Sequence, residues 1–196
     1  MIASQDRSGW LGASDTSIIM GSWDTVTFAR FWTEKLGIIR RDFANKQMLA
    51  GTHYEHRILD AIGIQKRDGQ IRIRSLRLRV NLDGEDRITI FEVKTHSGEY
   101  KVTKAHWRQA QVEMFAARKK LVIVAYHMEP EDYINYFNPI HPERITFHPV
   151  EYDPEWIKNE YLPRLRILAE CLKKGGRPCL PSTLKTSKPR LTMTGT

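Results

Sequence analysis

The chain has 196 residues, enough for one globular domain with a hydrophobic core. Its formal net charge of +8 and pI of about 9.6 favour an anionic partner, nucleic acid ahead of a membrane surface. It has no apolar run long enough for a membrane span or a secretory signal, and Cys171 and Cys179 fit neither a zinc motif nor a disulfide framework. The composition therefore predicts a soluble protein of the reducing cytoplasm.

The N-terminal segment 7–15 predicts the start of a helix. Ser14 is a suitable N-cap, and Ile18 and Ile19 follow it before Gly21 ends the helix. A helix start with a hydroxyl cap and a nearby arginine, here Arg7, can bind a phosphate. The alternative is that Ser14 only caps the helix.

Two amphipathic helices follow, over residues 27–35 and 45–63. In the second, Glu55 lies in the middle of the apolar stripe. Buried acids are uncommon unless they are paired, bind a ligand or act in catalysis. Glu55 is therefore either half of a salt bridge or part of a site. The stripe consists of Met48, Gly51, Thr52, Ile58, Leu59 and Ile62.

The next segment predicts strands with alternating faces. The alternation changes phase at Ser75-Leu76, which indicates a bulge or turn, and a second strand pair follows over residues 76–95 with a turn at 84–87. At period two, Glu92 and Lys94 share a face of the second strand. This hairpin brings Asp83 close to both.

Two carboxylates and an amine at one end of a sheet suit phosphodiester hydrolysis. Asp83, Glu92 and a backbone carbonyl between the strands, that of Val93, can hold one or two hard cations such as Mg²⁺. Lys94 can orient or help to deprotonate the attacking water and offset charge on the phosphorane. The alternative is an ordinary ion pair between Glu92 and Lys94 on a half-exposed strand.

The second half of the chain predicts alternating helices and strands. Residues 102–120 form a helix whose apolar stripe, made of Val102, Ala105, Val112 and Ala116, contains the amide of Gln109. Residues 121–127 are a strand covered on both faces, 144–150 another strand and 154–174 a closing helix. We therefore expect a single nuclease domain over residues 1–180. A basic tail over residues 181–196 would follow it, either disordered or ordered by a partner.

This order of motifs resembles the restriction-endonuclease-like PD-(D/E)XK core and, more narrowly, the phage lambda-type alkaline exonuclease family of viral recombinases. The resemblance runs from about residue 7 to about residue 115. Its motifs are Arg7-x6-Ser14, Gly51-x-x-x-Glu55, Asn81-x-Asp83-Gly84, Glu92-x-Lys94 and Gln109-x-Gln111. Leu82 replaces a frequent proline, and Thr95-His96 departs from the lambda-type sequence. The implied fold class is α/β (α+β), a mixed central sheet flanked by helices.

The resemblance also implies roles for individual residues. Asp83, Glu92, Lys94, Glu55 and Gln109 would be catalytic. Asp83, Glu92 and the Val93 carbonyl would bind Mg²⁺, for which Mn²⁺ can substitute, and Glu55 would reach the metal through water. Arg7, Ser14 and Asn81 would bind the 5'-terminal phosphate.

The implied activity is a 5'-to-3' exonuclease on linear double-stranded DNA. It would leave 3' single-stranded overhangs for a single-strand annealing protein in phage-type recombination, and it would act as a homotrimer around DNA ends in the host-cell cytoplasm. The basic composition suits such a substrate.

The sequence leaves three alternatives open. The first is an endonuclease or a Cas4-like nuclease of the same core, although Cas4-like enzymes normally carry a four-cysteine iron–sulfur cluster and this chain has two cysteines. The second is a non-catalytic DNA-end-binding module, which has no need of carboxylates facing a phosphate. The third is a basic structural protein, in which Glu55 and Gln109 on apolar helix faces would be unexpected.

Overall fold

The computed structural model describes residues 8–39 and 46–185, which form a five-stranded sheet covered by helices on both faces. The strands are β1 (Lys66–Ile73), β2 (Leu78–Glu85), β3 (Thr89–His96), β4 (Lys120–His127) and β5 (Ile145–Val150). The helices are α1 (Thr16–Ile19), α2 (Val26–Lys35), α3 (Lys46–Ala61), α4 (Lys104–Ala117), α5 (Pro154–Trp156), α6 (Leu162–Lys174) and α7 (Ser182–Lys185). None of the helices in these two ranges is long and apolar enough to cross a membrane.

The sheet is mixed, and its spatial order β1-β2-β3-β4-β5 follows the chain. The pairs β1–β2, β2–β3 and β4–β5 are antiparallel, whereas β3 and β4 are parallel. A parallel pair needs a crossover connection, and α4 supplies it. The predicted fold class, a mixed sheet flanked by helices, is therefore confirmed.

Each face of the sheet has its own hydrophobic core. On one face Leu82, Ile90 and Ile123 pack with residues of α2, α4 and α6. On the other face Val93 and Val124 pack with residues of α3. Alternate residues of β3 and β4 enter opposite cores, as expected for strands covered on both sides.

The turn between β2 and β3 lies two residues later than the sequence predicts. Gly84 and Glu85 belong to β2, and the turn is held by Asp86, whose Oδ1 accepts the backbone N–H groups of Ile88 (2.8 Å) and Thr89 (2.6 Å). Gly84 serves packing instead, because a Cβ there would come within 2.7 Å of Leu59 Cδ2. The predicted turn at 84–87 was therefore wrong in register, and Ile88 is 56% exposed in the turn.

The start of α4 also differs from the prediction. Thr103 is the N-cap and accepts the N–H of His106 at 3.2 Å, so Val102 precedes the helix and Ala105 is exposed in its first turn. The N-terminal half of the predicted apolar stripe was therefore wrong. The residues that α4 buries are Ala110, Gln111, Val112, Glu113 and Met114.

The closing segment is helical as predicted, with one irregularity. A π-helical turn, Ile157–Tyr161, joins α5 to α6, and Tyr161 in it is completely buried. Leu184 of α7 packs against the core, and its carbonyl accepts from Arg164 at 2.7 Å. Packed structure therefore continues to Leu184, into the segment assigned to the tail, and residues 186–196 lie outside the described part of the chain.

Candidate active site

The candidate site lies where β2 and β3 separate. Backbone pairing within these two fully described strands is confined to Gly84–Phe91 and Glu85–Ile90. One step further along, the carboxylate of Asp83 accepts the backbone N–H of Val93 at 2.9 Å. A side chain thus replaces the strand partner of that N–H, and the hairpin opens at Asp83.

Glu92, Lys94 and Gln109 form a connected group beside this opening. The ammonium of Lys94 lies 2.6 Å from Glu92 Oε1 and donates to Gln109 Oε1 at 3.4 Å. The Gln109 amide donates in turn to Glu92 Oε1 at 2.5 Å. Glu92 and Lys94 share one face of β3, as predicted, and both face α4. Gln109 of α4 lies among polar partners.

Glu113 joins the same group, although the sequence analysis did not identify it. It is completely buried, and its Oε1 accepts from Gln109 Nε2 at 2.8 Å. Its spacing from Gln109 is the sequence signal for it, because residues four apart on a helix share a face. Both amide hydrogens of Gln109 are thereby engaged by carboxylates, which fixes its Oε1 toward Lys94.

The electrostatics of the site reflect an excess of buried carboxylates. Burial raises the pKa of Asp83 well above its usual range, and the charges of Glu92 and Glu55 raise it further. Burial and then Glu92 likewise raise the pKa of Glu113. Burial is the largest influence on Lys94 and opposes its charge, but the charge and hydrogen bond of Glu92, together with the charges of Asp83 and Glu113, outweigh it, so the pKa of Lys94 is raised. One ammonium therefore faces several acids that repel one another.

Two carboxylate oxygens in this group have no hydrogen-bond partner in the described part of the chain. They are Glu92 Oε2 and Glu113 Oε2, and both are buried. A buried carboxylate oxygen without a donor is costly unless a cation or a proton compensates it. This donor set, oxygen-rich and negative, fits a hard divalent cation.

Glu55 approaches the site from α3. Burial raises its pKa, and the next contribution comes from the charge of Glu92. Glu55 also belongs to a group with His56 and Asp68 whose ligand atoms all lie within 4.8 Å of one another, and His56 Nε2 is 3.1 Å from Asp68 Oδ2. The β1–β2 register places Asp68 across from Asp83, since Arg67 pairs with Gly84 and Gly69 with Leu82. No sequence pattern pointed to Asp68.

Of the three predicted phosphate-binding residues, Ser14 and Asn81 have no hydrogen bond to this group among the described residues. Arg7 lies outside the described residues. Ser14 is exposed within the short 3₁₀ turn Ala13–Asp15, and the prediction that it is an N-cap was wrong, because Gly12 occupies that position and donates its N–H to Asp15 at 2.7 Å. Asn81 is exposed on β2 and accepts from Gln70 at 3.0 Å.

Gln111, the second glutamine of its motif, has a structural role. It is fully buried, its Nε2 donates to the Glu151 carbonyl at 2.7 Å, and its Oε1 accepts the Asp153 N–H at 2.7 Å. It therefore ties α4 to the connection between β5 and α5. In the described part of the chain, Gln109 forms hydrogen bonds with Lys94 and Glu92, and Gln111 does not.

Comparison with known proteins supports the fold. No family model matches the chain, and no curated protein matches its sequence. A crystal structure of an alkaline exonuclease, LHK-Exo from Laribacter hongkongensis, superposes with a TM-score of 0.63 over 86% of this chain and 90% of that chain, at 18% identity. This chain shares the fold of that exonuclease. A structure described as SSO0001 matches with a TM-score of 0.46 at 13% identity, over 92% of this chain and 82% of that chain.

Proposed function

We propose that this protein is a metal-dependent deoxyribonuclease that hydrolyses phosphodiester bonds. The observation that carries the proposal is the meeting of Asp83, Glu92, Lys94 and Gln109 where β2 and β3 open. The fold, shared with an alkaline exonuclease, supports the same reaction class. The formal charge of +8 suits a polyanionic substrate.

Asp83, Glu92 and the Val93 carbonyl would hold the cation, with Glu55 reaching it through water. The unpartnered oxygen of Glu92 and the acids around it fit this assignment. A bound Mg²⁺ or Mn²⁺ supplies a more acidic water and neutralises charge on the phosphoryl oxygens. The carboxylates of this chain would orient that chemistry at the point where β2 and β3 separate.

Lys94 would act as a charged group. Because its pKa is raised, its ammonium keeps its protons at neutral pH and is a poor base. We therefore assign it to orienting the attacking water and stabilising the negative charge that develops in the transition state. Gln109, whose amide is fixed by Glu92 and Glu113, would keep the Lys94 ammonium and the attacking water in position.

We further propose that the enzyme digests linear double-stranded DNA from 5' ends and leaves 3' overhangs for a single-strand annealing partner. The resemblance of the sequence motifs to the lambda-type family and the likeness to an alkaline exonuclease support this finer assignment. Arg7, Ser14 and Asn81 would bind the 5' phosphate, and the enzyme would act as a homotrimer.

One set of assays tests this proposal. Linear duplex labelled at its 5' ends, closed circular duplex and single-stranded DNA are each incubated with Mg²⁺, with Mn²⁺ and with chelator. The proposed exonuclease releases the 5' label from linear duplex only when a divalent cation is present. Nicking of the circle would instead identify an endonuclease, and retention of DNA without cleavage would identify a binding module.

A further inference from the structure

Beyond the candidate site, the same face of the sheet carries a cluster of aromatic side chains, here called the aromatic shelf: His96, Tyr100, His106, His127 and His148. Four of the seven histidines of the chain are in it. They come from four places: the ends of β3 and β4, the middle of β5 and the first turn of α4. None of these side chains takes part in the proposed hydrolysis.

Strand register places the shelf beside Lys94. His96 follows Lys94 by two residues on β3 and so shares its face, about 6.6 Å further along the strand. His127 lies opposite His96 in the parallel β3–β4 pair. His148 pairs with Ile123, which in turn pairs with Glu92, so this histidine shares the face of Glu92. The shelf therefore continues the row formed by Glu92 and Lys94.

The rings form one connected surface around Tyr100. The Tyr100 ring centroid lies 5.1 Å from that of His96, 5.7 Å from that of His106 and 4.8 Å from that of His148. His106 lies nearly parallel to Tyr100, at 6°, and the Tyr100 hydroxyl is 2.9 Å from His106 Nδ1. All five side chains are partly exposed.

The arrangement does not match a metal site. The group of Glu55, His56 and Asp68 is the one place in the described residues where three or more histidine, cysteine or acidic ligand atoms converge within 4.8 Å. In the shelf, ring nitrogens are taken up by other partners: His96 and His127 both contact the Gly98 carbonyl, at 2.8 and 3.3 Å. What the shelf offers is ring area.

We propose that the aromatic shelf binds the bases of an unpaired DNA strand beside the candidate active site. The proposal rests on the proposed function, since it takes DNA as the substrate. Nucleobases stack on aromatic side chains without sequence preference, and flanking cations track the phosphates. Lys101 and Lys104, both exposed, lie within a few residues of Tyr100 and supply those cations.

The test uses the intact chain in chelator, so that no cleavage occurs, and a single-stranded oligonucleotide containing the fluorescent base 2-aminopurine. We expect the wild-type protein to quench the base, as stacking does. The variant Tyr100→Ala/His148→Ala is expected to weaken binding about tenfold or more and to abolish quenching. Tyr100→Phe keeps the ring and is expected to retain both.

Two controls separate stacking from other causes. Phe147 is 53% exposed on the same strand as His148 but on the opposite face, so Phe147→Ala is expected to leave binding unchanged. Because stacking releases no counterions, the slope of log affinity against log salt stays constant in the double variant, whereas Lys101→Ala/Lys104→Ala lowers it. Thermal unfolding confirms that each variant is folded.

Three outcomes overturn the proposal: unchanged quenching in the double variant, equal loss in Phe147→Ala, or a failure of the wild-type protein to bind the oligonucleotide. Degradation of linear duplex by the wild-type protein in Mg²⁺ is scored separately. If that activity is present while the shelf variants bind normally, the shelf is refuted and the nuclease stands. If the wild-type protein quenches the base but never cleaves, the shelf stands and the proposed nuclease fails.

Discussion

Replacement of Lys94 by methionine tests whether the acids of the site repel one another as described. The change removes the one ammonium of the group but keeps a side chain of similar length. The Nζ–Oε1 distance of 2.6 Å to Glu92 corresponds to about 6 kcal/mol of Coulomb attraction at an effective dielectric constant of about 20. Desolvation of both groups offsets part of this attraction. Breaking a buried pair typically costs about 3–5 kcal/mol.

We expect the lower end of that range, because 23% of the Lys94 side chain is exposed. For a chain of this size, about 3 kcal/mol corresponds to a fall in Tm of about 6–12 °C. The assay is thermal unfolding in chelator. Lys101→Met is the matched control: it removes a surface ion pair, Lys101–Glu99 at 3.1 Å, and is expected to change Tm little.

A second variant gives the experiment its internal check. Asp83→Asn keeps an acceptor for the Val93 N–H but removes one negative charge. Asp83→Asn/Lys94→Met is therefore expected to be more stable than Lys94→Met alone. The acids do not repel one another as proposed if Lys94→Met has the wild-type Tm, or if adding Asp83→Asn to Lys94→Met lowers the Tm further.

The ionisation of Glu113, the role of Asp83 and the 5' end of the substrate can each be tested separately. Burial and then the charge of Glu92 raise the folded-state pKa of Glu113, so ionisation of Glu113 destabilises the protein as the pH rises above its unfolded-state pKa. Glu113→Gln is therefore expected to raise the urea midpoint at about pH 8 but not at about pH 4. An equal gain at both pH values would contradict this. Asp83→Ala is expected to abolish nucleotide release while gel retardation in chelator shows DNA binding intact; unchanged release by this variant would remove Asp83 from the mechanism. Finally, 5'-hydroxyl duplex is expected to be digested more slowly than 5'-phosphorylated duplex, and Arg7→Ala to erase the difference; equal rates for the wild-type enzyme would exclude a 5'-phosphate pocket.

Periodicity in the sequence was sufficient to predict how the central strands face the two cores. Leu78, Val80 and Leu82, at alternate positions of β2, enter one core, and Glu92 and Lys94 share the face that meets α4. This succeeds because strand side chains alternate whatever the surroundings. Gln109 was found in the same way, as a polar residue on a helix face that ought to be apolar.

The errors arose where tertiary contacts override local preference. Gly84 is a residue type common in turns, yet it lies in β2, where the absence of a side chain lets Leu59 of α3 pack closely against the strand. Ser14 is a residue type common at N-caps, but Gly12 is the N-cap here, and its N–H donates to the Asp15 carboxylate. In both cases the deciding atom belongs to a side chain whose position a local pattern does not encode.

Glu113 and Asp68 illustrate a second limit. Glu113 is buried against Gln109 by the crossing of α4 over the sheet, and Asp68 faces Asp83 through the β1–β2 register. Each position follows from long-range geometry, which a single sequence does not contain. Glu113 could have been proposed from its spacing to Gln109, whereas Asp68 had no comparable partner in sequence.

The central claim is that Asp83 and Glu92 together hold a divalent cation at the opening of β2 and β3. Calorimetric titration of the purified protein with Mn²⁺, in the absence of DNA, measures this directly. We expect saturable binding by the wild-type chain that disappears in Asp83→Asn/Glu92→Gln. Binding of equal affinity and stoichiometry in that variant would place the cation elsewhere and refute the proposed site.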